Sequence, residues 1–320
     1  MSKLLFFCLL LIGWLIIPGG AAFSQTAARP GDWPAGWQAL PLHSFPAEIA
    51  PPEARFTKAS AIDIDPEGRI YIVDRDRHRL LKFAPDGSLL RQIGGFGRGN
   101  EQFDDPRDVN ARTTLNVFVA DYNNNRVVRY DRSLNFLGAL NAGWPEPYDF
   151  ERVRSIAMSS QYDLFLLEDG TKKIVKFTRF AEPVAAFGGI YETYGQLLDP
   201  QQITLDDNSK RLFVSDPAQQ TVLVFDYLGN FITAISHPAL QQPGGLFWGE
   251  DRQLYVADLQ SGAVLVFSEN LKFSGRISLP ESAAPLVGVA VKHDRESGTT
   301  LLYTLEPALC RVFSLEKIKP

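Results

Sequence analysis

The chain has 320 residues, of which 45% are hydrophobic and 12% aromatic, and its formal net charge is −5. This composition is sufficient for a large hydrophobic core and excludes an intrinsically disordered chain. The acidic balance argues against general nucleic-acid binding, which requires a surplus of basic side chains.

Residues 1–24 have the pattern of a secretory signal peptide. Lys3 precedes an apolar run over residues 4–17, and a Pro-Gly-Gly breaker and small residues follow. The run is shorter than the roughly 20 residues that an α-helix needs to cross a bilayer. We therefore expect cleavage before Gln25, export to the periplasm or the extracellular space, and no stable membrane span afterwards. Retention of the segment as a membrane anchor is the alternative.

The chain contains two cysteines, and Cys8 lies inside the predicted signal peptide. Only Cys310 remains in the exported chain, so no internal disulfide is possible. The fold must therefore be held together by burial of apolar side chains. Residues 25–36 are rich in Pro, Gly and Ala and predict a flexible leader, whereas residues 37–45 have the composition of a strand.

Residues 68–94 form the module around which the rest of the chain is organised. An apolar strand that ends in an acid is predicted over residues 70–74, and a second strand over residues 79–83. An Asp-Gly turn, of the type that joins antiparallel strands, then leads into a third strand.

Copies of this module recur along the chain, and each copy shares an acid at the end of its first strand. The acids are Asp74, Asp121, Glu168, Asp216, Asp258 and Glu306. An aromatic residue stands three positions before each acid, and one more apolar strand precedes each copy. Six units of four short strands, at a period of 40 to 50 residues, are typical of a β-propeller.

We therefore predict an all-β fold, a six-bladed β-propeller of four-stranded antiparallel blades. A β-solenoid is the alternative, but its coils are usually shorter and less aromatic. The expected propeller domain is 37–320, with repeats near 57–103, 104–149, 150–197, 198–241, 242–284 and 285–320. The last repeat lacks a fourth strand at its C-terminal end, so we expect residues 37–45 to close the last blade.

Two of the copies, GRIYIVDRDRHRLLKFAPDG and NVFVADYNNNRVVRYD, resemble the NHL repeat. The later copies keep the frame but lose the Arg of the pattern or differ in turn length. The resemblance implies a six-bladed propeller. NHL proteins include RNA-binding and partner-binding domains, extracellular sensor domains of bacterial kinases and a zinc-dependent peptide-amidating lyase, so the resemblance alone does not imply one function.

The six repeat acids are expected to be structural rather than catalytic, since one acid per blade at the same turn gives a ring and not a converging set. Asp74 and Arg79 are five residues apart across a turn, and the same spacing separates Asp121 from Arg126 and Glu168 from Lys173. A carboxylate at this place accepts hydrogen bonds from turn amides and pairs with the cation.

A different position in each repeat is expected to face one mouth of the central channel. These positions are Ser60, Arg107, Arg154, Gln201, Gly244 and Val287. Arg107, Arg154 and Gln201 come from three adjacent blades, and two neighbouring guanidinium groups favour a carboxylate or a phosphate. The alternative is that these arginines only form salt bridges with Asp105 or Asp108.

Two long loops, residues 142–150 and 188–200, are expected to lie on the same face. The aromatic residues that they bring there are Trp144, Tyr148, Tyr191 and Tyr194. Aromatic side chains beside cations suit recognition of a ligand or a peptide. They can equally serve to pack the loops onto neighbouring blades.

No catalytic residue and no cofactor is predicted. The four histidines, His43, His78, His237 and His293, are scattered over different blades, whereas a zinc site requires three converging ligands. Asn110 and Asp63 are candidates for calcium, but no set of four ligands can be named.

The sequence thus predicts an exported, monomeric, non-enzymatic propeller that binds at one mouth of its channel. The expected partner is a protein segment, a glycan or a small anionic ligand, and not a nucleic acid. The alternative is a metal-dependent propeller hydrolase, lactonase or lyase whose ligands are not recognisable from the sequence.

Overall fold

The computed structural model describes residues 36–113, 115–280, 285–294 and 298–318. The predicted signal peptide and most of the predicted leader lie outside these residues. The described residues form β-strands joined by turns, and they include no helix of the length and apolar character that a membrane span requires.

Four sheets each consist of four consecutive strands joined as an antiparallel meander. The first contains β2 (Ala59–Ile64), β3 (Ile70–Asp74), β4 (Arg79–Phe83) and β5 (Leu89–Gly94). The second contains β6 (Pro106–Asn110), β7 (Asn116–Asp121), β8 (Arg126–Asp131) and β9 (Phe136–Asn141). The third contains β10 (Val153–Met158), β11 (Leu164–Glu168), β12 (Ile174–Thr178) and β13 (Glu182–Phe187). The fourth contains β14 (Ile203–Asp206), β15 (Arg211–Asp216), β16 (Thr221–Asp226) and β17 (Phe231–Ser236).

The fifth sheet has eight strands, in the order β18-β19-β20-β21-β1-β24-β23-β22. Its N-terminal strand is β1 (Trp37–Phe45). One flank contains β18 (Pro243–Trp248), β19 (Leu254–Asp258), β20 (Ala263–Phe267) and β21 (Phe273–Ser278). The other contains β22 (Gly288–His293), β23 (Thr300–Leu305) and β24 (Cys310–Lys317).

The all-β propeller is therefore present, but the prediction of six separate blades is wrong. The structure has four four-stranded sheets and one eight-stranded sheet. The difference arises at β1, which pairs with β24 along its length and, by its other edge, with β21 in parallel at Trp37 and Gln38. A strand that is hydrogen-bonded on both edges joins the fifth and sixth repeats instead of ending a blade.

The first strands of the repeats surround the channel. β2, β6, β10, β14, β18 and β22 contact one another in that order, and β22 contacts β2 again. Their free edges face the channel, so their backbone groups need partners from neighbouring repeats. Such partners are present: Asp63 accepts a hydrogen bond from the N–H of Ala111 at 2.7 Å, and Ser155 accepts one from the N–H of Ile203 at 3.1 Å.

The aromatic residue of each repeat explains why the sheets pack together. These residues are Tyr71, Phe118, Phe165, Phe213, Tyr255 and Tyr303, and each is at most 1% exposed. They lie on the second strands, most of which are buried along their whole length. The outermost strands instead alternate mainly between partly buried and exposed side chains, as expected at a solvent-facing edge.

Phe45, at the end of β1, connects the N-terminal strand to the first repeat. It is 3% exposed, and its ring lies 5.0 Å from that of Phe83. Gly87 packs against the same ring with a φ of 84°, and a Cβ there would lie 2.8 Å from Phe45. The Asp-Gly turn of the module thus needs its glycine both for the backbone conformation and for the room that Phe45 occupies.

We expect Phe45→Ala to lower the free energy of unfolding by about 3–5 kcal/mol, because it removes a buried aromatic side chain. Leu42→Ala is the matched control on the same strand, since Leu42 is 54% exposed. Urea denaturation of both variants tests this. Equal midpoints for the two variants would show that β1 is not anchored through Phe45.

Candidate functional site

A cavity of about 320 Å³ lies at the mouth where the innermost strands begin. The structure brings together around it all six positions expected from the sequence, Ser60, Arg107, Arg154, Gln201, Gly244 and Val287. Its lining also includes Lys58, Arg75, Asp108, Gln202, Leu259 and Pro307. The cavity therefore combines cationic, polar and apolar side chains.

Arg107 is held by one carboxylate and one aromatic ring. Its Nε donates to Asp105 at 2.8 Å, and its guanidinium carbon lies 4.0 Å from the centroid of Tyr122. Arg75 donates to the other oxygen of Asp105 at 2.7 Å. Burial alone would raise the pKa of the Asp105 carboxyl, but the hydrogen bonds from Arg75 and Arg107 outweigh burial and lower the pKa. Two cations thus share one ionised carboxylate.

Arg154 has an equivalent arrangement on the next repeat. Its Nε and Nη2 donate to Asp169 at 3.2 and 3.1 Å, and its Nη1 donates to Gln201 at 2.7 Å. Lys172 and the hydroxyl of Tyr122 donate to the same carboxylate. Although burial raises the pKa of Asp169, these hydrogen bonds bring it well below its usual range. This carboxylate is also shared between two cations.

The cationic side of the mouth therefore keeps positive charge after its salt bridges are formed. The alternative expected from the sequence, a salt bridge from Arg107 to Asp105, is present, yet it does not neutralise the cluster. Among the described residues, Nη1 of Arg107 and Nη1 of Arg75 have no hydrogen-bond acceptor. Nη1 and Nη2 of Arg154 each carry a second N–H group beyond the one that is donated to Gln201 or Asp169. These N–H groups are available to a bound anion.

The opposite side of the mouth is apolar. Leu259, Val287 and Pro307 line it together with Gly244 and Gly245. Gly244 leaves room for this side chain, because a Cβ at this position would lie 2.8 Å from Leu259 and would push its side chain aside. Leu259 therefore lies against the position that carries an arginine in the second and third repeats.

Asp108 is the carboxyl group in the lining, and it is almost fully buried. One of its oxygens accepts hydrogen bonds from the hydroxyl of Ser155 at 2.5 Å and from the N–H of Ile156 at 2.9 Å. Burial raises its pKa to about 6, although these hydrogen bonds act in the opposite direction. Asp108 thus joins the second and third repeats. When the pH is above this value, it contributes negative charge at the floor of the mouth cavity.

Below Asp108 the channel narrows to a space of about 20 Å³, which is lined by the two residues considered as calcium ligands, Asp63 and Asn110. Asp63 is buried there, and burial raises its pKa to about 7. Asn110 is 8% exposed, and its Oδ1 has no partner among the described residues. Arg112 crosses the channel, donates to the carbonyl of Trp248 and lies 4.4 Å from the ring of Phe247. Its guanidinium supplies positive charge beside Asp63.

Arg112 also lines a second cavity, at the end of the channel where the innermost strands end. This second cavity has a volume of about 240 Å³ and a mainly polar lining that includes Asn208 and Glu250.

The aromatic residues of the two long loops do not line the mouth cavity. Trp144 packs against Phe177, with 5.6 Å between ring centroids, and Tyr148 packs against the same core. Tyr191 is 90% exposed and Tyr194 is 78% exposed. The first pair therefore packs its loop onto the fold, and the second pair projects into solvent.

The six repeat acids hold backbone groups or a neighbouring cation rather than line the cavity. Asp74, Asp121, Glu168, Asp216, Asp258 and Glu306 are all at most 5% exposed. Asp121 accepts from the N–H of Asp104 at 2.8 Å, and Asp258 accepts from that of Gln242 at 2.7 Å. The expected partner is absent at Glu168, because the ammonium group of Lys173 pairs with Glu146 at 3.3 Å instead.

A second ring of residues, each of which immediately follows a repeat acid, was not predicted from the sequence. The ring consists of Arg75, Tyr122, Asp169, Pro217, Leu259 and Pro307. Arg75, Leu259 and Pro307 line the cavity, while Tyr122 and Asp169 contact its arginines. The signal in the sequence is that this position varies in chemistry from repeat to repeat while the residue before it remains acidic.

Metal ligands do not converge in the described residues. No group of three His, Cys, Asp or Glu side chains in these parts of the chain is placed to hold a metal ion. None of the four histidines is in the lining of the mouth cavity.

Comparisons with known proteins support the resemblance to NHL-type β-propellers. No family model matches the chain. It is 33% identical over 91 residues to NHL repeat-containing protein 3 of Homo sapiens, and 33% identical over 89 residues to the Mus musculus protein. Each match covers 27% of this chain and 26% of the relative, so the chain matches about a quarter of the length of these curated relatives.

Solved structures show the same fold over most of the chain. A catalytically inactive variant of virginiamycin B lyase from Staphylococcus aureus with quinupristin has a TM-score of 0.57 at 11% identity, covering 87% of this chain and 98% of that one. A streptogramin B lyase has a TM-score of 0.56 at 10% identity, covering 88% and 97%. Identities this low show the propeller fold alone.

We expect the buried carboxyl of Asp63 to make stability depend on pH. Its folded pKa of about 7 lies above the unfolded value, so its contribution to stability is present at low pH and is lost as the pH rises toward 7. Asp63→Asn removes this dependence. The free energy of unfolding of the native chain minus that of the variant should fall between pH 4.5 and 7 by more than about 1.4 kcal/mol, the equivalent of one pKa unit.

Chemical denaturation at several pH values measures this difference. A difference that stays constant or rises over the window would contradict the assignment of a raised pKa to Asp63.

Proposed function

We propose that the chain is an exported, monomeric, non-enzymatic propeller protein that recognises the anionic group of a small ligand at the mouth cavity. Export is proposed from the N-terminal sequence pattern. Binding is proposed from the chemistry of the cavity.

The observation that carries the proposal is that the three arginines of the mouth lining share their carboxylates with another cation. Arg75 and Arg107 share Asp105, and Arg154 and Lys172 share Asp169. A mouth in which every cation had its own carboxylate would have no reason to attract an anion. Here positive charge remains, and guanidinium N–H groups face a partly enclosed space where water screens charge less than in bulk solvent.

The size of the cavity favours a small molecule over the other ligands expected from the sequence. Its volume of about 320 Å³ is near the lower end of the range of about 300–1,000 Å³ that is usual for ligand pockets. A glycan or a folded partner would have to bind mainly outside it, where Tyr191 and Tyr194 are the exposed aromatic residues of the long loops.

The alternative function is a metal-dependent hydrolase, lactonase or lyase. The likeness to lyase structures bears on the fold, and the mouth offers little support for such chemistry. Its lining contains no histidine and one carboxyl group, that of Asp108, which is already hydrogen-bonded to the next repeat.

We expect Arg107→Gln combined with Arg154→Gln to weaken anion binding at least tenfold. A hydrogen bond to a charged group contributes about 1.5–3 kcal/mol, and about 1.4 kcal/mol corresponds to a tenfold change in Kd. Isothermal titration calorimetry with succinate, benzoate, hexanoate and phosphate measures the effect.

Arg91→Gln is the matched control, since Arg91 lies on the outermost strand β5 and outside the cavity lining. It should bind as the native chain does. Binding of none of these anions by the native chain, or equal binding by the double variant, would refute the proposal. The enzymatic alternative would be favoured if the native chain bound calcium or zinc and hydrolysed an added lactone only while the metal was bound.

A further inference from the structure

We propose that the ligand is an amphipathic carboxylate, with its carboxylate group on Arg107 and Arg154 and a short apolar tail on the wall formed by Leu259, Val287 and Pro307. This inference rests on the proposed function, because it specifies what occupies the same cavity.

The order of the innermost strands separates the two kinds of lining. In the closed ring β2, β6, β10, β14, β18 and β22, strand β18 lies across from β6, and β22 lies across from β10. Arg107 lies at the start of β6 and Arg154 at the start of β10, whereas Gly244 lies on β18 and Val287 immediately precedes β22. Cationic and apolar groups therefore face each other across the mouth.

The apolar wall is built from both mouth positions of the last two repeats. The fifth repeat contributes Gly244 and Leu259, and the sixth contributes Val287 and Pro307. These residues bring no polar side chain to the cavity. An anion without an apolar part would fill only the cationic half and leave the wall in contact with water, so it would gain nothing from this surface.

Gly244 shows that the wall depends on specific packing. A Cβ at Gly244 would come within 2.8 Å of Leu259, and a Cβ at the adjacent Gly245 would come within 2.8 Å of the Cα of Gly288. Substitution of either glycine would displace the wall or its neighbour. The absence of these side chains lets Leu259 lie against the rim and lets the fifth and sixth repeats approach each other closely.

The polar side of the cavity suits a single carboxylate as the head group. The planar guanidinium groups of Arg107 and Arg154 match the two oxygens of a carboxylate. Below them lies the buried carboxyl of Asp108, which is fixed by Ser155 and Ile156. A ligand that brought a second negative charge to the floor would be placed close to this group.

The experiment uses the mature full chain and a series of straight-chain carboxylates, namely acetate, butanoate and hexanoate, with phosphate as the anion without a tail. Binding is measured by NMR titration. Each buried methylene should strengthen binding roughly three- to fourfold, from the usual transfer free energy of a methylene group. The gain should stop when the tail outgrows the cavity.

Two variants test the wall without removing the arginines. Val287→Thr keeps the shape of the side chain and adds a hydroxyl group, and Leu259→Gln replaces the apolar rim residue. In both variants the ratio of hexanoate affinity to acetate affinity should fall, so that most of the dependence on tail length is lost. Val184→Thr, on the outer strand β13, is the matched control and should keep the native dependence, as Val184 is 48% exposed and outside the cavity.

The outcomes separate this inference from the proposed function. Binding of acetate, hexanoate and phosphate with equal affinity would overturn the inference and leave the anion site intact. A native dependence on tail length in both Val287→Thr and Leu259→Gln would show that the tail lies elsewhere and would also overturn it. Failure of the native chain to bind any of the anions would overturn both.

Discussion

Both the scaffold and the mouth depend on one interaction, which is present in the first, second, fourth and fifth repeats. In it, a buried carboxylate at the end of the second strand holds the backbone at the start of the same repeat. Asp121 accepts a hydrogen bond from the N–H of Asp104, and Asp216 accepts one from that of Leu198 at 2.7 Å. A buried carboxylate is costly unless such donors surround it. The chain enters its innermost strand directly after this contact, so the same hydrogen bonds determine where Arg107 and Gln201 emerge.

This constraint explains how much of the mouth could be predicted. The repeat frame located Arg107 and Val287 because the fold places equivalent positions at equivalent heights around the channel. It did not indicate that Arg75 and Leu259 would join them, since the position after a buried acid was assigned to a turn. Contacts between repeats, such as Ser155 with Asp108, depend on side-chain lengths and rotamers that a pattern of apolar residues does not contain.

The fold was predictable to the level of strands and repeats, and the errors lie at its edges. Residues 37–45 were recognised as a strand that needs a partner, but the hydrogen bonds of Trp37 to β21 could not be inferred, because strand composition says nothing about a second free edge. The positions of the aromatic side chains in the two long loops could not be predicted for a related reason. The sequence gives no reason to treat Trp144 and Tyr191 differently, yet the ring of Trp144 packs on Phe177 and that of Tyr191 faces solvent. The difference depends on the path of each loop.

The differences between the copies follow from what the scaffold requires of each position. The repeat acids are held to acidic residues by the backbone groups and cations that they satisfy, whereas the mouth positions share no common backbone contact and vary in chemistry. Two arginines on adjacent strands would repel each other in a confined space. Asp105 and Asp169 offset that repulsion, and because each is shared between two cations they leave positive charge on one side of a mouth whose other side is apolar. Six identical repeats would have produced a symmetric mouth, so the direction in which a ligand can bind comes from these departures.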